Sequence, residues 1–482
     1  MGISIYSRPK ISVILSLSLI FLTLLALLIS ARLQARAAGL SLFLSTTVGP
    51  PTTAVKVSGK GFGSGDAVSI AFDASQLATT TVDSNGTFFS TIKIPVKALP
   101  GNHSIEVTDQ ANGFVAQAPF LVRTNWSQFH FQASHQGFNS YENVLNPSNV
   151  SSLVLKWNYT TGGIIDSSPA VVNGVVYVGS FDKKLYALDA ATGTLKWSYT
   201  TGNRIDSPPA IANGFVYVNG EDNKLYALDA TTGTLKWSYT VGDPTNRSFE
   251  DAAPTVANGA LYIGSANGKL YALDAITGAY KWSSTVGSGI GVHSSPAVVN
   301  GVAYVGSDDG NFSAFDATTG TLKWVYNLGG YVYSSPAVVN GLVYVGSQSG
   351  SLYALNAATG TLKWSYSTGY GIYSSPAVAN GVVYIGSYSF ALYALNAKTG
   401  TLIWSYATGS GIDCSPAVAN GVVYIGSEDG KLYVLDATTG TLKWNYTTGS
   451  YIYSSPAVAD GVVYVGSSDS KMYTFHLPNT TP

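Results

Sequence analysis

The sequence predicts an all-β protein: an eight-bladed β-propeller closed by an N-terminal strand, preceded by a small β-sandwich and an N-terminal hydrophobic helix. Three observations lead to this prediction. Tryptophan recurs about every 40 residues, a period typical of propellers and solenoids. Each repeat holds four short strand patterns separated by turn signals. The chain of 482 residues is 46% apolar and contains 52 glycines and 32 tyrosines, a composition that favours strands with frequent turns.

The composition also narrows the possible functions. Charged residues make up 11% of the chain and the formal net charge is −1, so we expect no binding of nucleic acid. The single cysteine, Cys414, excludes an intramolecular disulfide. Cys414 stands where most repeats have serine, so we interpret it as a passive replacement rather than a nucleophile. The histidines show no metal-ligand spacing, and we predict no metal site.

The N-terminal residues 1–38 read as an export signal. Arg8 and Lys10 precede an apolar run over 11–30, and a small-residue site follows at 35–37, which suits a signal peptidase. A run of about twenty residues is also long enough to span a bilayer, so a retained anchor is the alternative. Both alternatives predict an extracytoplasmic protein, secreted or anchored at the cell surface, with no other contact to the membrane.

Residues 39–122 show strand alternation without a repeat. Turn signals such as Ser84-Asn85-Gly86 separate the strands at the spacing of a small β-sandwich. The segment VSGKGFGSGDAVSIAFD, followed by DSNGTFFSTIKIP, resembles the immunoglobulin-like modules of bacterial surface proteins, especially the IPT/TIG kind. The resemblance implies an immunoglobulin-like β-sandwich over this range.

Residues 153–477 carry the repeats, after a lead-in segment at 123–152. The first turn of each repeat is Asn-Gly in seven units and Asp-Gly in the last, a strong hairpin signal because both central residues need positive φ. Strands such as 175–178 are apolar at consecutive positions, which indicates burial on both faces. The first tryptophan strand precedes the first full unit, and the last unit has only three strands. The early strand can therefore complete the late sheet and close a ring of eight blades, whereas an open solenoid would leave both ends incomplete.

A motif in the repeats makes a family resemblance specific. The stretch 187–197 fits A-x-D-x-x-T-G-x-x-x-W, which recurs in seven units, with Val434 in place of the alanine and Asn356 and Asn396 in place of the aspartate. This is similar to the tryptophan-docking motif of the quinoprotein, or PQQ-like, eight-bladed propellers. The lead-in segment resembles that of bacterial members, so the resemblance covers about 126–476.

The repeated motif is interpreted as structural, because a catalytic site would have to act in seven copies. We expect each tryptophan to lie between neighbouring blades with its indole N–H bonded to a backbone carbonyl. The docking residues are Trp157, Trp197, Trp237, Trp282, Trp324, Trp364, Trp404 and Trp444.

The face opposite the uniform turns is the one on which we predict binding. All length variation lies there, in loops such as 242–250 and 287–292, together with variable turns such as SQSG, SYSF and SEDG. One position on this face, three residues before the proline of the SSPAV-like run in each repeat, is expected to ring the mouth of the central channel. Its residues are Asp166, Asp206, Asp251, His293, Tyr333, Tyr373, Asp413 and Tyr453, with additional tyrosines at Tyr331, Tyr370 and Tyr451.

Two readings of this mouth remain open: a solvated polar rim, or a binding site with an acidic half and an aromatic half. The resemblance implies PQQ and calcium in catalytic members, which carry a vicinal cysteine pair and a Glu/Asn/Asp calcium set. The single cysteine excludes the pair, and no such calcium set recurs here. We therefore predict a noncatalytic, monomeric scaffold without a cofactor, binding a protein or glycan partner, with a PQQ- and calcium-dependent oxidoreductase as the alternative.

Overall fold

The structure is a computed structural model that describes residues 39–242 and 252–478. Residues 1–38, with the predicted signal or anchor, lie outside the described residues, and so do Asp251 and most of the predicted loop 242–250. The chain divides into two compact units between Arg123 and Thr124. Over the described ranges the regular structure is β, apart from one 3-10 turn at Val150–Ser152. None of the helical structure in these ranges is long and apolar enough to cross a bilayer.

The first unit contains two sheets, one of three strands in the order β1-β3-β6 and one of five in the order β2-β8-β7-β4-β5. Its strands are β1 Ser41–Leu44, β2 Val48–Gly49, β3 Ala54–Lys60, β4 Ala67–Phe72, β5 Ser75–Thr81, β6 Thr87–Lys93, β7 Gly101–Asp109 and β8 Val115–Val122. Alternation decides which side chains are buried: Val55 and Val57 point into the core, and Lys56 between them is exposed. Residues from both sheets share one apolar core. The likeness to IPT/TIG modules stays a prediction.

The second unit contains eight sheets, which we number 1 to 8 along the chain; seven have four strands, and sheet 7 has a fifth, parallel strand from the segment before the repeats. Two strands precede the repeats, β9 Phe138–Asn139 and β10 Val154–Thr160. Sheets 1 to 4 comprise β11 Ala170–Val172, β12 Val175–Gly179, β13 Lys184–Asp189, β14 Leu195–Thr200; β15 Ala210–Ala212, β16 Phe215–Gly220, β17 Lys224–Asp229, β18 Leu235–Thr240; β19 Thr255–Ala257, β20 Ala260–Gly264, β21 Lys269–Asp274, β22 Tyr280–Thr285; β23 Ala297–Val299, β24 Val302–Gly306, β25 Asn311–Asp316, β26 Leu322–Asn327.

The remaining sheets continue the same pattern of one short inner strand and three longer strands. Sheets 5 to 8 comprise β27 Ala337–Val339, β28 Leu342–Gly346, β29 Ser351–Asn356, β30 Leu362–Ser367; β31 Ala377–Ala379, β32 Val382–Ser387, β33 Ala391–Asn396, β34 Leu402–Ala407; β35 Ala417–Ala419, β36 Val422–Gly426, β37 Lys431–Asp436, β38 Leu442–Thr447; β39 Ala457–Ala459, β40 Val462–Ser467, β41 Lys471–His476, with β10.

The ring closes as the sequence predicts. Strand β10 pairs antiparallel with β41, from Val154 opposite His476 to Thr160 opposite Lys471, and so supplies the fourth strand of sheet 8. The inner strand of each sheet contacts that of the next, and β39 contacts β11. Antiparallel four-stranded sheets arranged in this way form a β-propeller. The inner strands line its central channel.

The hairpin turns between the first two strands of each sheet have the backbone that the sequence predicts. The Asn or Asp of each turn has positive φ, from 43° at Asn420 to 54° at Asn213, and the following glycine does as well. Both central residues of a type I′ turn require this conformation. These turns lie on the face opposite the predicted binding face.

The tryptophans of the outer strands make two kinds of contact with the next sheet, a hydrogen bond and a packing contact. Seven of the eight indole N–H groups donate to a backbone carbonyl there at 3.0–3.1 Å, for example from Trp364 to Ala397. The exception is Trp444, whose ring stacks on Tyr446 and packs edge-on against Phe475 but whose N–H makes no such bond among the described residues, contrary to the prediction. The indole also packs on the turn glycine of the next sheet: a Cβ added at Gly400 would lie 2.6 Å from Cδ2 of Trp364. A side chain at this turn position would collide with the tryptophan ring of the preceding sheet. This explains why each copy of the motif has a glycine there.

Candidate functional site

The lead-in segment forms the floor of the channel by bonding to the inner strands in chain order. Each bond uses the middle residue of an inner strand, so one residue of the segment serves one sheet. The bonds run from Trp126 with Val171, Ser127 O with Ile211 N, Gln128 Oε1 with Val256 N, Ala133 O with Val298 N, Ser134 O with Val338 N, Gln136 O with Val378 N, Gly137 O with Val418 N and Asn139 Nδ2 with Val458 O, at 2.7–3.1 Å.

Two buried histidines lie inside this floor. His130 and His135 are 2% and 0% exposed, and His130 stacks on Phe129 at 4.4 Å between ring centroids. His135 Nε2 lies 3.0 Å from the Thr255 hydroxyl, but its Nδ1 and both ring nitrogens of His130 have no hydrogen-bond partner among the described residues. Burial lowers the pKa of His130 to about 4 and that of His135 to about 3. Both rings are therefore neutral at pH 7 and pack as part of the floor.

The two histidines should make the stability of the propeller depend on pH. Both have a pKa below the unfolded value of 6.5, so the unfolded chain binds more protons and stability falls as the pH is lowered below 6.5. The loss should continue toward about pH 4 for His130 and about pH 3 for His135, at up to ~1.4 kcal/mol per pH unit for each. Urea unfolding between pH 8 and pH 4 measures it. His130→Asn, which tolerates positive φ, should flatten this slope; an unchanged slope would contradict the assignment.

A belt of serines lies above the floor. The residue before each inner-strand proline is serine in six sheets, and its hydroxyl accepts a backbone N–H from the preceding sheet. The bonds run from Ala253 N to Ser295, Ser295 N to Ser335, Ser335 N to Ser375, Ser375 N to Ser415, Ser415 N to Ser455 and Ser455 N to Ser168, at 2.8–2.9 Å. The belt ties neighbouring inner strands together and gives the channel a polar wall.

A cavity of about 480 Å³ opens above this belt; we name it the mouth cavity. Its lining combines the belt, one residue of the floor and side chains of the variable face. The lining residues are Phe129, Ser168, Pro208, His293, Ser295, Tyr333, Ser335, Gln348, Tyr373, Ser375, Asp413, Cys414, Ser415, Tyr453 and Ser455.

Five of the eight predicted mouth residues line this cavity together: His293, Tyr333, Tyr373, Asp413 and Tyr453. Asp166 lies beside them, where its Oδ1 accepts a hydrogen bond from the Ser468 hydroxyl at 2.7 Å. Asp206 is not part of the lining, and Asp251 lies outside the described residues. The structure therefore assembles the aromatic part of the predicted ring, whereas the acidic part is represented in the lining by Asp413 alone.

The aromatic part is continuous from sheet 4 to sheet 6. His293 and Tyr333 have ring centroids 5.4 Å apart, and Tyr333 stacks on Tyr373 at 5.7 Å with 13° between the rings. Tyr373 contacts Tyr388 at 4.8 Å. Tyr331 stands edge-on to Tyr333 and is 50% exposed at the rim. We call His293, Tyr333, Tyr373 and Tyr388 the aromatic arc.

The acidic side of the mouth lies between Tyr388 and Tyr453. The Tyr388 hydroxyl donates to Glu428 Oε1 at 2.7 Å. Burial, followed by the nearby Glu428, Asp413 and Asp166 carboxylates, raises the pKa of Tyr453 to about 12. Burial and the carboxylates of Asp413 and Glu428 also raise the pKa of Tyr388. This side therefore carries a negative field in partly desolvated surroundings, which favours cationic and hydrogen-bond-donating ligand groups.

Sequence reasoning missed Gln348, Tyr388 and Glu428, which come from the turns between the second and third strands. The Gln348 amide donates to the Tyr373 hydroxyl, and the Tyr388 hydroxyl donates to Glu428 of the next sheet. Each lies directly after the first serine of its turn, in SQSG, SYSF and SEDG. The signal was present, because these turns vary among repeats that are otherwise nearly identical.

Cys414 lies in the wall of the cavity without unusual chemistry. Its Sγ accepts from the Gly426 N–H at 3.1 Å, as the Ser334 hydroxyl accepts from Gly346 at 3.0 Å two sheets earlier. Burial raises the pKa of the thiol, which keeps it protonated. The thiol therefore replaces a serine in an existing bond, as the sequence indicates.

Comparison with protein families gives one match. A family described as outer membrane protein assembly factor BamB matches residues 126–292, 289–411 and 392–477. The match spans the lead-in segment and all eight sheets. Among curated protein sequences, none matches this chain.

Solved structures share the fold of the propeller. The europium-containing methanol dehydrogenase is 16% identical, with a TM-score of 0.64, over 73% of this chain and 98% of its own. The quinohemoprotein alcohol dehydrogenase from Comamonas testosteroni is 17% identical, with a TM-score of 0.63, over 74% and 81%. BamB from Moraxella catarrhalis is 20% identical, with a TM-score of 0.58, over 68% and 98%. At these identities the likeness concerns the fold alone.

Proposed function

Because this chain belongs to the family of the outer membrane protein assembly factor BamB, we propose that it is a noncatalytic extracytoplasmic scaffold that holds a partner protein at its mouth cavity. The proposal includes secretion or anchoring at the cell surface, a monomeric propeller of eight blades, one per sheet, and an immunoglobulin-like first unit. The immunoglobulin-like assignment is supported by the two sheets of the first unit, which share one apolar core. The family description names assembly of proteins, which favours a protein partner over a small substrate.

The mouth cavity is the observation that carries the proposal. It joins an aromatic arc to a carboxylate side within about 480 Å³, a size that accommodates one or two side chains of a partner. Tyrosine side chains supply large contact areas at low entropic cost, and interfaces are enriched in them for that reason. Exposed rings at Tyr370 and Tyr451, 64% and 53% exposed, extend the surface around the cavity. A glycan is the second candidate, because the stacked Tyr333 and Tyr373 rings also offer flat faces to a sugar.

A quinone-dependent oxidation fits these residues less well. No group of three or more His, Cys, Asp or Glu side chains that could hold a metal ion is formed by residues 39–242 and 252–478. The chain has one cysteine, so it lacks the vicinal pair that the resemblance implies for catalytic members. The donor set expected for PQQ and calcium is thus not matched at the mouth, and we assign no reaction step to this site.

Replacing Tyr333, Tyr373 and Tyr453 together by alanine should weaken partner capture at least tenfold, since central aromatic residues dominate binding energies. The measurement is a pull-down from an extract of the source's cell envelope, with the full-length protein immobilised. The matched control is Tyr280→Ala, which removes a tyrosine that is 54% exposed on the outer strand of sheet 3 and should leave capture unchanged.

The same experiment separates the alternatives. Protease treatment of the extract should abolish capture, whereas sensitivity to periodate instead would identify a glycan. Equal capture by the triple variant and the control would show that the mouth cavity is not the binding site. A change in quinone absorbance on mixing the protein with PQQ and calcium, together with alcohol-dependent dye reduction, would contradict a noncatalytic role.

A further inference from the structure

The exposed face of the three-stranded sheet in the first unit carries two outward-facing phenylalanines. Phe43 on β1 and Phe89 on β6 are 61% and 76% exposed. Both lie opposite Ser58 of the middle strand β3 in the sheet register. Neighbouring strands are about 4.8 Å apart, so the two rings stand on either side of Ser58 with Cα atoms roughly 10 Å apart.

The two rings form the walls of a groove along β3. A cavity of about 490 Å³ lies between them. Its lining includes Phe43, Lys56, Ser58, Phe89 and Thr91. The middle of the groove has only the small Ser58 side chain beneath it, so an apolar side chain from outside has room between the rings.

The core of the first unit does not require these rings. Phe88, next to Phe89, is 2% exposed and packs edge-on against Phe62 at 5.1 Å, inside the apolar core. Thr87 and Thr91 are the outward-facing neighbours of Phe89 on β6. A polar residue would serve the exposed position equally well, and an exposed pair of rings indicates a contact surface.

The three strands of this face carry positive charges only, and one acid lies beside them: the Asp83 carboxylate accepts from the Thr87 hydroxyl at 2.6 Å, and Thr87 is opposite Lys60 in the register. Strands β1, β3 and β6 carry Lys56, Lys60 and Lys93, each exposed, and no Asp or Glu. Lys56 and Lys60 lie two residues on either side of Ser58, which places their Cα atoms about 13 Å apart along the strand. An apolar groove between two ammonium groups is complementary to an apolar side chain between two carboxylates.

We propose that this face binds an extended acidic segment of a partner protein, with one apolar side chain between Phe43 and Phe89 and carboxylates against Lys56 and Lys60. An extended segment rises by about the same distance per residue as β3. The pattern acid-x-apolar-x-acid therefore brings both carboxylates beside the two lysines. The concave groove favours a chain over a flat lipid surface, which would meet protruding rings. The inference is independent of the function proposed for the propeller.

The test uses the full-length protein and a fluorescein-labelled peptide, Gly-Gly-Glu-Ser-Leu-Ser-Glu-Gly-Gly, with binding followed by fluorescence anisotropy. Phe43→Ala and Phe89→Ala should each weaken binding about tenfold, the effect of losing one apolar contact. Lys56→Glu should weaken it by at least as much and should reduce its dependence on salt. The control Val115→Ala removes an apolar side chain that is 45% exposed on the other sheet and should bind as the unaltered protein does.

Several results would overturn the proposal. One is equal binding of the unaltered protein to a peptide with lysine in place of both glutamates. Another is unchanged affinity in Phe89→Ala. Tighter binding to phosphatidylglycerol vesicles or to polygalacturonate than to the peptide would identify a lipid surface or an anionic glycan instead. A concentration-dependent dimer that Phe89→Ala dissociates would identify a second copy of this chain as the occupant.

Discussion

Replacing Trp364 by alanine is expected to lower the free energy of unfolding of the propeller by about 3–5 kcal/mol, the range for a buried tryptophan. Its side chain is 9% exposed, its indole N–H donates to Ala397 O at 3.0 Å, and its ring packs on Gly400 of the next sheet. The alanine variant loses all three contributions and leaves a void between two sheets. The midpoint of urea unfolding, followed by tryptophan fluorescence, measures the loss.

Two further variants serve as controls for this measurement. Leu362→Ala removes a side chain that is 42% exposed on the same strand, and it should cost less than about 1 kcal/mol. Trp364→Phe retains most of the apolar contact but loses the indole donor, while the Tyr344 hydroxyl still donates to the Ala397 carbonyl at 3.0 Å, so its loss should lie between the other two. Equal losses for Trp364→Ala and Leu362→Ala would contradict a role of the tryptophan in joining the sheets.

Replacing Glu142 by alanine should cost about 3 kcal/mol or more, because two buried N–H groups and one part-buried N–H group lose their acceptor and each is worth ~1–3 kcal/mol. Glu142 is 5% exposed, and Oε1 accepts from the amides of Val144 and Leu145 at 2.8 and 2.9 Å. Oε2 accepts from Gly461 in the hairpin turn of sheet 8 at 3.1 Å. The carboxylate therefore fixes the lead-in segment to the last sheet of the ring. Thermal unfolding of the variant measures the effect.

Glu142→Gln is the matched control. Burial raises the pKa of the Glu142 carboxyl, so the neutral amide avoids the cost of burying a charge. The amide oxygen can still accept from Val144 and Leu145, and only the bond from Gly461 is lost. The glutamine variant should therefore unfold at a clearly higher temperature than the alanine variant. Identical midpoints for the two would show that the hydrogen bonds are not what stabilises this contact.

The sequence predicted those parts of the fold that follow from local signals. The Asn-Gly turns required positive φ, and the structure has it at Asn173 and its counterparts. The last repeat lacked a fourth strand and an extra strand preceded the first repeat, so the two were expected to pair. The structure shows this pairing between β10 and β41. The path of the lead-in segment could not be predicted, because Ser127 bonds Ile211 and Asn139 bonds Val458 without any strand alternation in the segment. Such bonds join residues far apart in the chain, one per sheet, and leave no periodic pattern.

The candidate site was predicted in part for a similar reason. The repeat alignment located His293, Tyr333 and Tyr373, because one position beside each inner strand varies while its surroundings do not. It did not locate Tyr388 and Glu428. They come from the turns between the second and third strands, and they bond to each other between two neighbouring sheets. Proximity between sheets depends on how the ring closes, and a single repeat does not contain that information.

The lead-in segment also limits how a partner could occupy the channel. Phe129 of this segment lines the bottom of the mouth cavity. Below the cavity, the segment is hydrogen-bonded to the inner strand of every sheet. The channel is therefore open at the mouth and closed at its other end by the lead-in segment. A polypeptide cannot be threaded from one face to the other, so a protein partner would have to insert a chain terminus or the tip of a loop and withdraw by the same route.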